Sequence, residues 1–443
     1  MSSVVLKDFL GSGAIDPSEL VWKAAAIDLP VLELLRQRAV CDGRVIARDG
    51  AGLFTHGIAA TIDLPRGIGE QGAARHAFEL LSDLPPLDSP SCVDGSVCPI
   101  AIGALPFDSF APSHLVIPTL AVYESAQQGA IAIAVGKRDL LDGIFEGLRC
   151  EGEGQKRIEP LDFLRPDQFS LQSVGGHEEF LSRVNDAITA IHSGALQKVV
   201  IAREVFVHAN RPFSQKDLLS RMRVLHPSCA AFAIDGFVGA SPELLCKKHG
   251  PNITSQPLAG TIPRSGDPGD DALHAAALMH SQKDRAEHRF VVDDIARELA
   301  RFTAFIDVPG EPHLLELRNV THLATLITAT LPEDPDGAPL PSALEIVSSL
   351  HPTPAVAGVP REAALKYLAT FETLRRDHFA GPVGWVDASG DGEWWIGIRS
   401  AMIDGCDARL LAGVGIVADS DPESELVETQ LKFQAFLATA VRP

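Results

Sequence analysis

The sequence is poor in the features that would tie a protein to nucleic acid, to a membrane or to an oxidising compartment. Lys and Arg total 38 against 58 Asp and Glu, which leaves a net charge of −20. A general nucleic-acid binder neutralises phosphates with basic side chains, and adhesion to anionic lipid needs the same charge. Neither partner is expected. Long hydrophobic runs are missing as well: the longest small-apolar run is Ala130 to Val135, far below the about 18 residues of a membrane helix. Met1 to Gly11 mixes Lys7 and Asp8 with apolar residues, so no secretory signal is read there. Cysteine is sparse. Cys41, Cys92, Cys98, Cys150, Cys229, Cys246 and Cys406 are odd in number and scattered, with no CxxC pair. That pattern gives neither a disulfide framework nor a zinc site, and the expectation is reduced thiols in a cytoplasmic protein. Internal repeats and low-complexity tracts are absent.

The 443 residues, 46% apolar and 22% charged, have the composition of a globular protein with ample core. Residues 84–118 are rich in Pro, Ser and Gly, and Leu115 to Val122 and Gly129 to Val135 read as short strands. The polar stretch from Glu151 to Ser173 is the junction between a front part, 1–175, and a back part, 176–443. In the back part, Phe180 to Ser193 has helical spacing, Lys198 to Val207 is a β-branched strand, and Asp217 to Leu225 is a short helix. Cys229 to Phe237 and Gly239 to Lys247 read as paired strands, and His274 to Phe302 as one long helix. Pro382 to Val386, Trp394 to Ile403 and Arg409 to Val417 read as antiparallel strands. A last helix, Pro422 to Thr439, has Asp421 as N-cap and Pro422 at its first position. Strands and helices without βαβ alternation predict an α+β fold.

Four features carry chemistry. Glu287 falls on the apolar stripe of Met279, Phe290, Val291, Ile295 and Leu299. A carboxylate facing a core must be paired, protonated or metal-bound; Lys283 and Arg285 are the nearby candidates for a simple ion pair. Glu425, Glu428 and Lys432 share one face of the last helix, either as a solvated Glu428–Lys432 pair or as oxygen donors to Mg²⁺. Lys198 opens its strand either as a desolvated base or as an edge-strand lysine that blocks aggregation. Glu243, between Pro242 and two leucines, is either a solvent-facing strand residue or a buried general acid. The turn-rich segments Pro257 to Arg264 and His351 to Gly358 allow close backbone approach to a ligand.

In this order the segments resemble the chorismate-utilising enzymes. The blocks run from Gln197 to Gln434: LQKVVIAR, GASPELL, PLAGTIPR, KDRAEHRFVV, NVTHLAT, HPTPAVAGVP, FAGPVGW, IGIRSA and LAGVGIVADSDPESELVET, with Lys432 beyond. The resemblance implies large antiparallel sheets flanked by helices, as in anthranilate synthase component I. Residues 1–175 would form a divergent N-terminal subdomain and 176–443 the chorismate-binding region of one large catalytic domain.

Within the family, a lysine at the position of Lys198 marks the water-using members, and Ala259 stands where aminodeoxychorismate synthases carry a nucleophilic lysine. HPTPA with Gly358 resembles isochorismate synthases most, and no cysteine sits in an amidotransferase loop. The resemblance therefore implies a Mg²⁺-dependent isochorismate synthase, monomeric and without an amidotransferase subunit. A salicylate synthase, which goes on to eliminate pyruvate, is the alternative, and a non-catalytic chorismate-binding protein the alternative of another class. It assigns Lys198 as base on water and Glu243 as acid on the C4 hydroxyl. Glu287 and Glu428 hold the metal, with Glu425 acting through metal-bound water. Arg399, Lys432 and Gly413 hold a substrate carboxylate, and Gly260, Thr261 and His322 contact substrate. Val414, where the family usually has Ala, is expected beside that carboxylate pocket.

Overall fold

A computed structural model describes residues 19–28, 32, 35, 36, 43–48, 50–87, 98–125, 129–153, 165–332 and 340–441. Met1 to Gly11 and part of the Glu151 to Ser173 junction lie outside them, as do Cys41, Cys92 and the side chain of Cys150. Of the described cysteines, Cys98, Cys246 and Cys406 are free thiols.

Among the described residues the chain builds two large antiparallel sheets, of 12 and 9 strands, and a third of 3. The larger begins with Val21–Ile27, Gly129–Gly136 and Leu120–Ser125 from the front of the chain and ends with Ser400–Asp404, Asp407–Ile416, Lys198–Ala209 and Gly358–Val359 from the back. The 9-stranded sheet mixes the two parts in the same way: Pro382–Asp387 pairs with Ile100–Ala104 along five residues. Helices flank the sheets, giving the expected α+β class. The main apolar core draws on both parts, from Leu20 and Leu115 to Val291, Trp394 and Leu426.

Four sequence readings need correction. Leu115 to Val122 is not one strand: Ser113–Ile117 belongs to the 9-stranded sheet and Leu120–Ser125 to the 12-stranded one. His274 to Phe302 is not one helix but two, Pro268–His280 and Gln282–Leu299. Ser281 between them is extended (φ −66°, ψ 114°), and its hydroxyl accepts a hydrogen bond from the Asp284 N–H, capping the second helix. Hydrophobic period cannot register a single extended residue. Gly239 to Lys247 is also split. Phe237–Ser241 belongs to the 12-stranded sheet and Leu244–His249 to the 9-stranded one, with Pro242 and Glu243 as the crossing. Trp394 to Ile403 divides likewise into Gly392–Ile396 and Ser400–Asp404. Arg399 sits in that gap with φ 53°, a left-handed conformation unusual for a bulky residue.

The two crossings touch: the Ile396 N–H donates to the Glu243 carbonyl at 3.1 Å. They deliver an acid and a guanidinium to the same gap between the sheets. The long helix Gln282–Leu299 packs over Leu258–Pro263, and the C-terminal helix Pro422–Ala440 over Asp407–Ile416. Asp421 caps that last helix and Pro422 opens it, as expected.

Candidate active site

One cavity collects nine of the residues singled out in the sequence: Glu243, Gly260, Thr261, Glu287, His322, Arg399, Gly413, Glu428 and Lys432. Lys198 and Glu425 do not line it; each stands behind a lining residue.

Lys198 is the first residue of an interior strand and is fully buried, which rules out the edge-strand reading. Its Nζ lies 2.9 Å from Glu287 Oε1, at an angle that leaves it without a directed hydrogen bond. The partner of Glu287 is thus neither Lys283 nor Arg285. Lys283 instead pairs with Glu425 at 2.9 Å, and Arg285 with Glu311 at 2.6 Å. Gly415 makes the Lys198–Glu287 contact possible. A Cβ there would lie 2.2 Å from Glu287 Oε1 and 2.7 Å from Lys198 Cε. Gly415→Ala is therefore expected to push the pair apart and lower turnover by about 100-fold, the cost of roughly 1 Å of misplacement. Steady-state kinetics on the folded variant check this.

Glu243 is 4% exposed, so the solvent-facing reading fails. Burial pushes its carboxyl up to about 7, against the opposing pull of Lys198, the Leu258 backbone, Lys432 and Arg399. It can therefore hold a proton near neutral pH.

His322 is a buried neutral imidazole. Arg399 Nη2 donates to its Nε2 at 3.1 Å, so the ring proton sits on Nδ1, 3.2 Å from the Gly260 carbonyl and 3.1 Å from Thr261 Oγ1. Burial first, then the charges of Arg399 and Lys432, hold its pKa well below the usual histidine value. Thr261 and His322 face each other across the pair of strands Leu258–Pro263 and Val320–Ala324.

On the C-terminal helix, Lys432 Nζ lies 2.6 Å from Glu428 Oε1 and donates to the Gly413 carbonyl at 2.7 Å. The local pair and the cavity position hold together. Burial works to raise Glu428, but Lys432 outweighs it, with Arg399 and Lys283, and the carboxylate stays below its ordinary value. Glu425 moves the other way, raised by burial and by the charge of Glu428.

Val414 corrects another expectation. It is fully buried in the main core and does not line the cavity; Gly413 and Gly415 on either side do. Strand alternation turns its methyls away from the pocket.

Among the described residues, no group of three or more His, Cys, Asp or Glu forms a ready-made metal site. Three carboxyls line the cavity; burial pushes Glu243 toward its protonated form, which leaves the carboxylates of Glu287 and Glu428 as the oxygen donors. Hard oxygen donors of that number suit Mg²⁺, which keeps waters and takes substrate oxygens. The notch at Gly415, which a Cβ would fill, leaves Glu287 its room.

Two lining residues escaped the sequence reading. Arg376 has no marking in its local pattern, and the resemblance gives Phe379 no role; both line the cavity. They arrive from a loop after the helix Arg361–Phe371, and only the tertiary fold brings them in.

A model of the chorismate binding enzymes matches residues 104–441, a span that takes in part of the front of the chain. The isochorismate synthase DhbC of Bacillus subtilis is 33% identical over 354 residues, covering 77% of this chain and 81% of its own. The isochorismate synthase EntC of Escherichia coli is 31% identical over 347 residues, covering 76% and 80%. In structure, the menaquinone-specific isochorismate synthase MenF of Escherichia coli overlays with a TM-score of 0.75 at 24% identity, covering 100% of this chain and 99% of that one. The chain belongs to the chorismate-binding enzyme family.

Proposed function

We propose that the protein is an isochorismate synthase, an isomerase that converts chorismate to isochorismate. The observation that carries this reading is a buried Glu243, pushed up to about 7, facing a cavity between the sheets behind whose wall the buried Lys198 stands against Glu287. The reaction needs an acid and a base there. Water adds its oxygen at C2 and gives up a proton to Lys198. The ring double bonds shift, the C4–O bond breaks, and Glu243 gives its proton to the departing hydroxyl, which leaves as water. Reactant and product are isomers that differ in the position of the hydroxyl and of the ring double bonds, so the reaction is close to balanced and reversible.

Lys198 Nζ stands 2.9 Å from Glu287 Oε1. Glu287 and Glu428 would hold Mg²⁺, with Glu425 reaching it through water. Bound there, the ion supplies positive charge that offsets Glu287 and Glu428 and suits a substrate carboxylate. Lys198, beside Glu287 at 2.9 Å, would take the proton of the water that adds at C2. Arg399 and Lys432, with the Gly413 backbone, hold the other carboxylate; a planar guanidinium fork suits it. His322 accepts from Arg399 and so fixes its direction, while Gly260 and Thr261 hold the imidazole. These contacts to substrate and metal are part of the proposal.

The same reading makes residues 1–175 and 176–443 one catalytic unit, acting as a monomer in the cytoplasm with no amidotransferase subunit. No described helix is long and apolar enough to cross a membrane. The product would enter siderophore or menaquinone synthesis. The test is to incubate the protein with chorismate and Mg²⁺, without ammonia, and separate the products. Isochorismate that disappears when EDTA is present, and with Glu287→Gln, is the expected result. Salicylate with pyruvate would move the reading to a salicylate synthase, and no turnover would leave a binding protein.

A further inference from the structure

The Lys198 strand has an unusual outer edge. Gly358–Val359 pairs with Lys198 and Val199 only, and Phe169–Val174 begins to pair at Glu204. Over residues 200–203 no described strand lies alongside. The Ala357 carbonyl accepts from the Val200 N–H at 2.8 Å, and two side chains supply the rest of that edge. Arg376 Nη2 donates to the Val200 carbonyl at 2.7 Å, and Glu372 Oε1 accepts from the Ala202 N–H at 3.3 Å. The two form a buried bidentate pair, Nε to Oε2 at 2.7 Å and Nη2 to Oε1 at 2.9 Å. Arg376 Nη1 also donates to the Val356 carbonyl at 2.7 Å. One guanidinium therefore ties the base-bearing strand to the His351–Gly358 segment, and both Val200 and Val356 line the cavity.

The front of the chain closes this device. Phe107 lies under the guanidinium, 4.3 Å from ring centroid to Arg376 Cζ. Its N–H donates to the Asp377 carbonyl at 2.7 Å, and its own carbonyl lies 3.0 Å from His351 Nε2.

We propose that Arg376 and Glu372 are positioning residues of the active site: they substitute for a missing strand, set the place of the Lys198 end of its strand, and are held by Phe107. This rests on the isochorismate synthase reading. Only an arginine fork reaches all these acceptors in one plane; a lysine keeps the charge and loses the geometry.

The test is Arg376→Lys, assayed for isochorismate formation beside the unaltered protein, with circular dichroism to count folded molecules. The expected result is kcat per folded molecule lower by about 100-fold, the scale of a small misplacement, with KM for chorismate nearly unchanged and isochorismate still the product. A kcat per folded molecule close to that of the unaltered protein would overturn the proposal, because the clamp would then be structural only. A rise in KM alone would overturn it too, because Arg376 would then be a substrate contact. If Arg376→Lys does not fold, Phe107→Leu, which keeps apolar volume and removes the ring, is read by the same criteria. Failure of the unaltered protein to make isochorismate would instead strike the functional reading.

Discussion

Glu243→Gln is expected to lower turnover by about 10² to 10⁴ and to make the protein more stable at pH 8. That is the range for loss of a general acid, and glutamine has no proton to give. The stability change has the opposite sign. In the unfolded chain this carboxyl ionises at its ordinary 4.5, and in the fold at about 7. Between those values the folded state holds the proton more tightly. Stability from this site is therefore greatest below 4.5, declines as pH rises, and is fully lost above about 7. At pH 8 the buried carboxylate costs on the order of 3 kcal/mol, which the neutral amide does not incur. Denaturant melts at pH 4.5 and pH 8, with kinetics on the same samples, check both halves. A Glu243→Gln protein no more stable at pH 8 than at pH 4.5, relative to the parent, would show that burial does not hold the acid protonated.

Lys198→Ala is the second large effect. It removes the proposed base, with an expected loss of about 10³ in kcat. It also leaves Glu287 facing the cavity without its partner at 2.9 Å. Breaking a buried pair by removing one member costs about 3–5 kcal/mol, reduced here because Glu287 keeps partial access to the cavity. Lys198→Ala is thus slowed and destabilised, whereas Glu243→Gln is slowed and stabilised. Mg²⁺, which would take up the charge of Glu287, should recover part of the stability lost in Lys198→Ala and none in Lys198→Ala/Glu287→Gln. Thermal melts with and without the ion separate the two.

These contrasts follow from how the fold distributes charge. The surface carries most of the surplus acid, and charges there are screened beyond about 8 Å at physiological salt. At the cavity the balance is local. Lys198, Arg399 and Lys432 stand against Glu287 and Glu428, while Glu243 is kept from ionising fully by burial. A ligand with two carboxylates meets that local balance rather than the overall −20.

Much of this was legible in the sequence, for identifiable reasons. Glu287 could be found because a carboxylate on an apolar helical stripe breaks a pattern set by neighbours in the chain. Its partner could not, since Lys198 reaches it only when Asp407–Ile416 and Gln282–Leu299 close over the strand. The cap at Asp421 and Pro422 was readable because capping is local chemistry. Ser281 was not, because a single extended residue leaves the helical period on both sides intact. Glu243 and Arg399 stood out as residues, but their position at two adjoining crossings between sheets did not. The apolar runs on either side read as continuous strands, and only pairing partners far along the chain assign them to different sheets. Val414 was misplaced because a motif gives neighbours in sequence, whereas a strand turns alternate side chains to opposite faces. Arg376 and Phe107 left no trace, since their bonds run to backbone carbonyls and across the whole chain.

The most direct test of water addition with loss of the original hydroxyl is isotopic. The protein, chorismate and Mg²⁺ are mixed in ¹⁸O-water and the product is isolated early, then analysed by mass spectrometry. The expected result is isochorismate carrying one ¹⁸O at C2, from the water that Lys198 deprotonates, and none retained from the C4 hydroxyl. Isochorismate with unlabelled oxygen at C2 would contradict the account, because the hydroxyl would then have moved without solvent and neither Lys198 nor Glu243 would have the role given to it.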